Sequence, residues 1–262
     1  MLETLIFSLV VAVAVGVSAG YLGSIMILEK MALVGDALSH VALPGLALGV
    51  LLNFNPLVGG FAFLFVSAVL VWHLGRVTKL SFETLVGATF TLSLAIGILL
   101  FGDNLDALEE ALFGNITAVG ITEAVAAVII SIAVIFVTKF IYRKIVLGLI
   151  SEELAISKGV SIAKTNLLYL LLVSLTVAMG IQITGTLLVG FLVVTPAAAA
   201  KTISATMSRY LMLSSIFGAI SAISGILLSS YFNVPPGPLV VISGIALFIA
   251  VIIIRWYTKF TS

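Results

Sequence analysis

The chain has 262 residues, 62% of them apolar and 9% charged, with a net charge of +1. Soluble domains run near half apolar and a quarter charged, so this composition excludes a water-soluble surface, and the net charge points to neither nucleic acid nor an acidic partner. The absence of cysteine excludes disulfides and thiolate metal sites.

Nine apolar segments follow one another along the chain: Thr4–Leu28, Met31–Leu52, Leu57–Trp72, Thr84–Phe101, Ile121–Ile141, Leu167–Ile183, Leu187–Ala200, Tyr210–Tyr231 and Leu239–Ile254. A membrane-crossing helix needs about 20 such residues. Open sheet edges cannot sit in lipid, and the period-two alternation of a membrane barrel is absent. The predicted fold is therefore an all-α polytopic bundle forming one transmembrane domain over residues 1–262. The first segment lacks a basic leader and a small-residue cleavage site, so it reads as a retained span, with a removed signal peptide as the alternative. Segments six and seven are joined only by Thr184-Gly185-Thr186. They form either two crossings or one kinked, re-entrant unit, giving nine spans or eight.

With nine crossings and the N-terminus outside, every basic residue falls inside. These are Lys30, Arg76, Lys79, Lys139, Arg143, Lys144, Lys158, Lys164, Lys201, Arg209, Arg255 and Lys259. The positive-inside rule predicts this bias. Glu3, Asp103, Asp106, Glu109, Glu110 and Glu123 then lie outside. The acidic stretch from Gly102 to Gly120 reads either as a solvated loop or as a surface attracting metal or a partner.

The second segment reads MALVGDALSHVALPGLALGVLL, and Asp36 and His40 are its ionisable side chains. A carboxylate at the centre of a bilayer costs about 2.5–3.5 kcal/mol by insertion scales. It must face a partner group or a wet cavity. Spacing of i,i+4 puts both side chains on one helical face, and carboxylate plus imidazole makes a two-ligand half-site for a transition metal. The alternative is that Asp36 hydrogen-bonds His40 or a neighbouring helix. Ser39 points about 100° away, which argues against a Ser39/His40 hydrolytic dyad. Pro44-Gly45 follows, where proline weakens the helix and frees backbone carbonyls, as at the broken helices of transport sites. His73 sits beside Trp72 at an inner end and reads as an interfacial residue. Glu83 complements the dipole at the start of its helix.

Between the fifth and sixth segments, residues 146–164 are long enough to fold. Within them SEELAISKGV carries Ser151 as N-cap, Glu152 and Glu153 in the first turn, Leu154 and Ala155 as a modest apolar face, and Gly159 as a stop. It is either an interfacial helix or a docking element for a soluble motor.

GDALSHVALPGLALG (Gly35–Gly49) closely resembles the signature of metal-type ABC permeases, the zinc, manganese and iron importers. LFGNITAV (Leu112–Val119), SEELAISKGV (Ser151–Val160) and GTLLVGFLVVTPAAAAK (Gly185–Lys201) are similar to that family in the same order. The family often has Asp where Ser151 stands, and either residue caps a helix. The resemblance implies a non-enzymatic subunit that pairs with a second copy. It also implies two cytoplasmic ATPases and an extracellular or periplasmic protein delivering the metal. Asp36 and His40 would be pathway residues, with Ser39, Pro44, Gly45, Thr195 and Pro196 around them. Glu152, Glu153, Leu154, Ala155 and Gly159 would form the helix that couples to the ATPase. The chain has no GxxxxGK[ST] phosphate loop, so ATP would act only through the partner. An ATP-independent metal transporter or channel is the other reading.

Overall fold

A computed structural model describes residues 2–78, 80–115 and 119–260. The expected inside position of Lys79, the side chain of Lys259 and the middle of the LFGNITAV motif lie outside the described residues. The elements are α1 (Leu2–Leu28), α2 (Ala32–Val41), α3 (Leu43–Leu51), α4 (Pro56–Thr78), α5 (Phe82–Phe101), α6 (Leu105–Phe113), α7 (Ile121–Ile150), α8 (Glu152–Ser157), α9 (Ile162–Ile203), α10 (Met207–Phe232) and α11 (Pro236–Phe260). No strand occurs among the described residues.

Among the described residues eight stretches are long and apolar enough to cross a membrane, with α2 and α3 together making one of them, Ala32–Leu51. The ninth expected segment is the shorter apolar helix Leu188–Ile203. It continues α9 past a break at Gly185, whose φ of 72° and ψ of 173° are non-helical. The chain bends sharply there. A methyl built on Gly180 would strike the Val189 side chain, although residues nine apart on a straight helix are about 13 Å apart. Gly185 is locked from outside as well, since a methyl on it would overlap the Leu112 carbonyl and the Phe113 nitrogen. The two readings of segments six and seven are thus both partly realised. They are two helical limbs joined through the break at Gly185, the second folding back against the first.

The acidic stretch expected as a loop contains α6. Asn104 caps it, its Oδ1 accepting from Ala107 N–H at 3.2 Å, with Asp106 in the first turn. Ala107, Leu108, Ala111 and Leu112 recur at helical spacing and pack on the core. The apolar stripe is interleaved with Asp106, Glu109 and Glu110, which give the segment the composition of a solvated loop.

Small residues let α1 sit at the centre. Gly16 and Gly218 approach so closely that a methyl on either would meet the other's carbonyl, and Ser214 Oγ donates to the Gly20 carbonyl at 2.6 Å. Lipid tails are as apolar as the helices, so association relies on such close packing rather than on expelling water.

The two ends are grouped as the expected crossings group them. At one end Trp72 Nε1 donates to the Ala163 carbonyl at 2.7 Å, and Arg76 lies 5.1 Å over the Trp72 ring. His73 is exposed beside them, and Ser81 caps α5 ahead of Glu83. At the other end Asn55, Phe101, Glu110, Glu123 and Gln182 line one recess of about 420 Å³.

Glu29, just past α1, lies in a small recess with Phe82, Asn166 and Tyr169. Burial pushes its carboxyl up to about 7, from an ordinary value of 4.5. Between those two values the unfolded chain has lost the proton that the folded chain keeps. Stability therefore falls as pH rises from about 4.5 through about 7. Glu29→Gln is expected to remove that fall. Its Tm in detergent should exceed that of the wild type at pH 8 and match it at pH 4, and parallel pH profiles for the two proteins would contradict this.

Candidate functional site

The pairing of Asp36 and His40 comes from α2, whose C-terminal end is set by Pro44. Proline has no N–H to offer the His40 carbonyl four residues back, and the helix is interrupted at Ala42, two residues before the proline. The dihedrals of Ala42 stay near helical, φ −70° and ψ −23°, so the span bends without unwinding. Gly45 is buried against α4, where a methyl would collide with the Gly59 carbonyl.

Asp36 and His40 stand one turn apart on the same flank. Ala32–Leu51 is the most buried of the eight candidate spans, yet Asp36 is exposed and Leu33, one turn before it, is 80% exposed. His40 is only 8% exposed. Its ring lies 5.3 Å from that of Phe90 on α5, tilted by 57°, and its Nδ1 is buried with no hydrogen-bond partner. A buried imidazole nitrogen left without a partner is costly in the resting chain. Ser39 is fully buried on another face, its hydroxyl donating to the Asp36 carbonyl at 2.6 Å.

The second limb of α9 supplies the floor. A methyl on Gly190 would lie 2.7 Å from both Cβ and Oδ1 of Asp36. Only a residue without a side chain lets α2 lie this close, so Gly190 fixes where the carboxylate sits. Thr195 is half-buried and Pro196 buried further along the same limb, about a turn and a half beyond Gly190. The sequence reading missed Gly190 and Phe90. A small residue opposite an intramembrane charge was the available signal for Gly190, whereas nothing in the sequence marked Phe90.

Among the described residues no three His, Cys, Asp or Glu side chains come together to hold a metal ion. Asp36 and His40 are therefore a pair with no third such side chain beside them, the carboxylate exposed and the imidazole buried.

The short capped helix expected after Ser151 is present. Ser151 Oγ accepts from Leu154 N–H at 3.2 Å at the start of α8. Gly159, at φ 74°, closes it, with Val160 N–H donating to the Ala155 carbonyl at 3.0 Å. Ala155 is fully buried and anchors the turn. Glu152, Glu153, Leu154 and Ile156 all face outwards.

Residues 1–255 match the model of the ABC 3 transport family. The manganese transport system membrane protein MntC of Listeria innocua is 32% identical over 93% of this chain and 88% of its own length. The high-affinity zinc uptake system membrane protein ZnuB of Haemophilus influenzae is 30% identical over 95% of this chain and 97% of its own. Among solved structures, PsaBC from Streptococcus pneumoniae in complex with Fab superposes with a TM-score of 0.83 at 29% identity, covering 97% of this chain and 94% of that one. With its long apolar helices and this match along nearly its whole length, the chain belongs to the ABC 3 transport family and is a multi-pass permease subunit of the cell membrane.

Proposed function

We propose that this permease carries a divalent transition metal into a prokaryotic cell, with Asp36 and His40 as the ligands that receive it. The observation that carries the reading is the exposed carboxylate on an otherwise buried span, held against Gly190 one turn from a His with an unpartnered nitrogen. Left facing lipid, that charge would be penalised by a few kcal/mol. Covering the flank with a second copy removes the penalty and brings two half-sites towards one axis. Hard carboxylate plus borderline imidazole suits manganese, iron and zinc alike, and the matched relatives are named for manganese or zinc.

In this mechanism the N-terminus and α6 face outwards, where a metal-binding protein delivers the ion. The C-terminus and α8 face inwards. Partner ATPases dock on the exposed residues of α8, Glu152, Glu153 and Leu154, and Gly159 sets how far the helix stands out. ATP binding draws the ATPases together. The paired permeases then switch between outward and inward openings around Asp36 and His40.

Co-expression with the ATPase and reconstitution into vesicles tests this. ATP-dependent uptake of manganese or zinc is expected. Glu153→Lys should lower ATPase co-purification while membrane insertion stays normal. Metal entry through the permease alone, without ATP, would instead establish an ATP-independent carrier, and unchanged co-purification would remove α8 from the coupling role.

A further inference from the structure

Helices α7 and α10 both pack on α1 but stand largely apart from one another. The gap is a cleft of about 1350 Å³. At one end Lys139, Arg143 and Lys144 line it together with the hydroxyl-bearing Tyr142 and Ser208, and no carboxylate shares the lining. Apart from Tyr21 and Ser215 the rest of the wall is apolar, as at Phe136, Leu211 and Ile216. At Val17 and Ile135 the cleft meets a second slot of about 480 Å³ that runs on between α1 and α7 past Val10, Val13, Val128 and Ile132.

Depth and charge together fit one kind of occupant. Lys139 lies about 27 Å along α7 from Ile121, near the far boundary of a hydrocarbon core about 30 Å thick. The three cations therefore sit at headgroup level, and the apolar slot extends from them towards the membrane centre. Basic residues at an inner boundary are ordinary. A recess that joins such residues to a continuous apolar channel is not explained by that rule. The Lys144 ammonium already leans over the Phe140 ring, 5.7 Å from its centre, at the junction of the two environments.

We propose that this cleft holds an anionic phospholipid of the inner leaflet, its phosphate among Lys139, Arg143 and Lys144 and a tail in the slot between α1 and α7. The assignment rests on the inward placement of that end of the bundle and is independent of metal passage at Asp36. A zwitterionic lipid lacks the net charge to use three cations. A second copy seated here would bury those cations against their own like.

The full chain, purified in mild detergent and titrated with phosphatidylglycerol or phosphatidylcholine, can be read by native mass spectrometry. The wild type should retain phosphatidylglycerol and not phosphatidylcholine. Each basic residue near an anionic surface contributes about fivefold in binding, so K139Q/R143Q/K144Q should weaken retention on the order of a hundredfold. Lys164→Gln, which removes one positive charge outside the cleft, should leave it unchanged, whereas Arg143→Gln alone should weaken it by about fivefold. Ala219→Trp, which fills the cleft with every cation intact, should also abolish it, and this variant decides the matter if the triple variant elutes as aggregate. Equal retention of the two lipids, no loss in Ala219→Trp, or a shift from dimer to monomer in the cleft variants would overturn the proposal.

Discussion

Asp36→Asn and His40→Ala are each expected to reduce metal uptake on the order of a hundredfold, while the permease still assembles with its ATPase. Loss of a group that merely orients a metal ligand already costs about 10–100-fold, and these residues are assigned as ligands themselves. Asparagine keeps the shape of aspartate against Gly190 and removes only the charge, so folding should be unaffected or slightly improved. His40→Ala leaves a cavity beside Phe90 but also removes an unpartnered buried nitrogen, and the two effects oppose one another. Uptake in vesicles and ATPase co-purification measured on the same preparations separate the outcomes. Wild-type uptake in both variants would end the assignment of this pair to the pathway.

Gly185→Ala should have the largest effect on stability of any single methyl added to the chain. Its φ of 72° with ψ of 173° lies where backbone is essentially confined to glycine. Strain of that kind costs about 1–3 kcal/mol, and overpacking typically adds about 1–3 kcal/mol more. Here the added methyl would meet the backbone of Leu112 and Phe113, which cannot rotate away. The expected result is a marked loss of folded protein or a fall of many degrees in Tm. A variant with wild-type Tm and uptake would mean that the limb Leu188–Ile203 does not depend on this bend. Its place between two apolar segments marked Gly185 as a possible kink, and the backbone angles and the contact with α6 make it the residue that sets the bend.

Much of the architecture was legible because lipid is a strict solvent. Each crossing needs its own apolar run and the charges sort to the ends, so the boundaries of α1, α5 and α10 fall within a few residues of expectation. The cap at Ser151 and the stop at Gly159 were equally readable, because short polar and flexible residues mark helix ends by local chemistry. Two properties of the site were not. Asp36 and His40 marked one face of α2, but whether that face meets a neighbouring helix or stays open depends on what packs beside it, which the residues of α2 do not state. Thr184-Gly185-Thr186 marked a possible kink between segments six and seven, but its packing against α6 was hidden, because the charged residues of α6 masked its apolar stripe.

Helix α7 runs 30 residues from Ile121 to Ile150 with no proline in it, about 45 Å end to end. It leads straight into α8 at one tip and carries Glu123 of the opposite recess at the other. A stiff rod pinned near its middle by α1 converts a sideways push at one tip into a swing at the other. A rotation of only four degrees shifts each end by roughly 1.5 Å on a rod of this length. Whatever is bound at α8 can therefore be felt across the whole thickness of the bilayer with no joint in between.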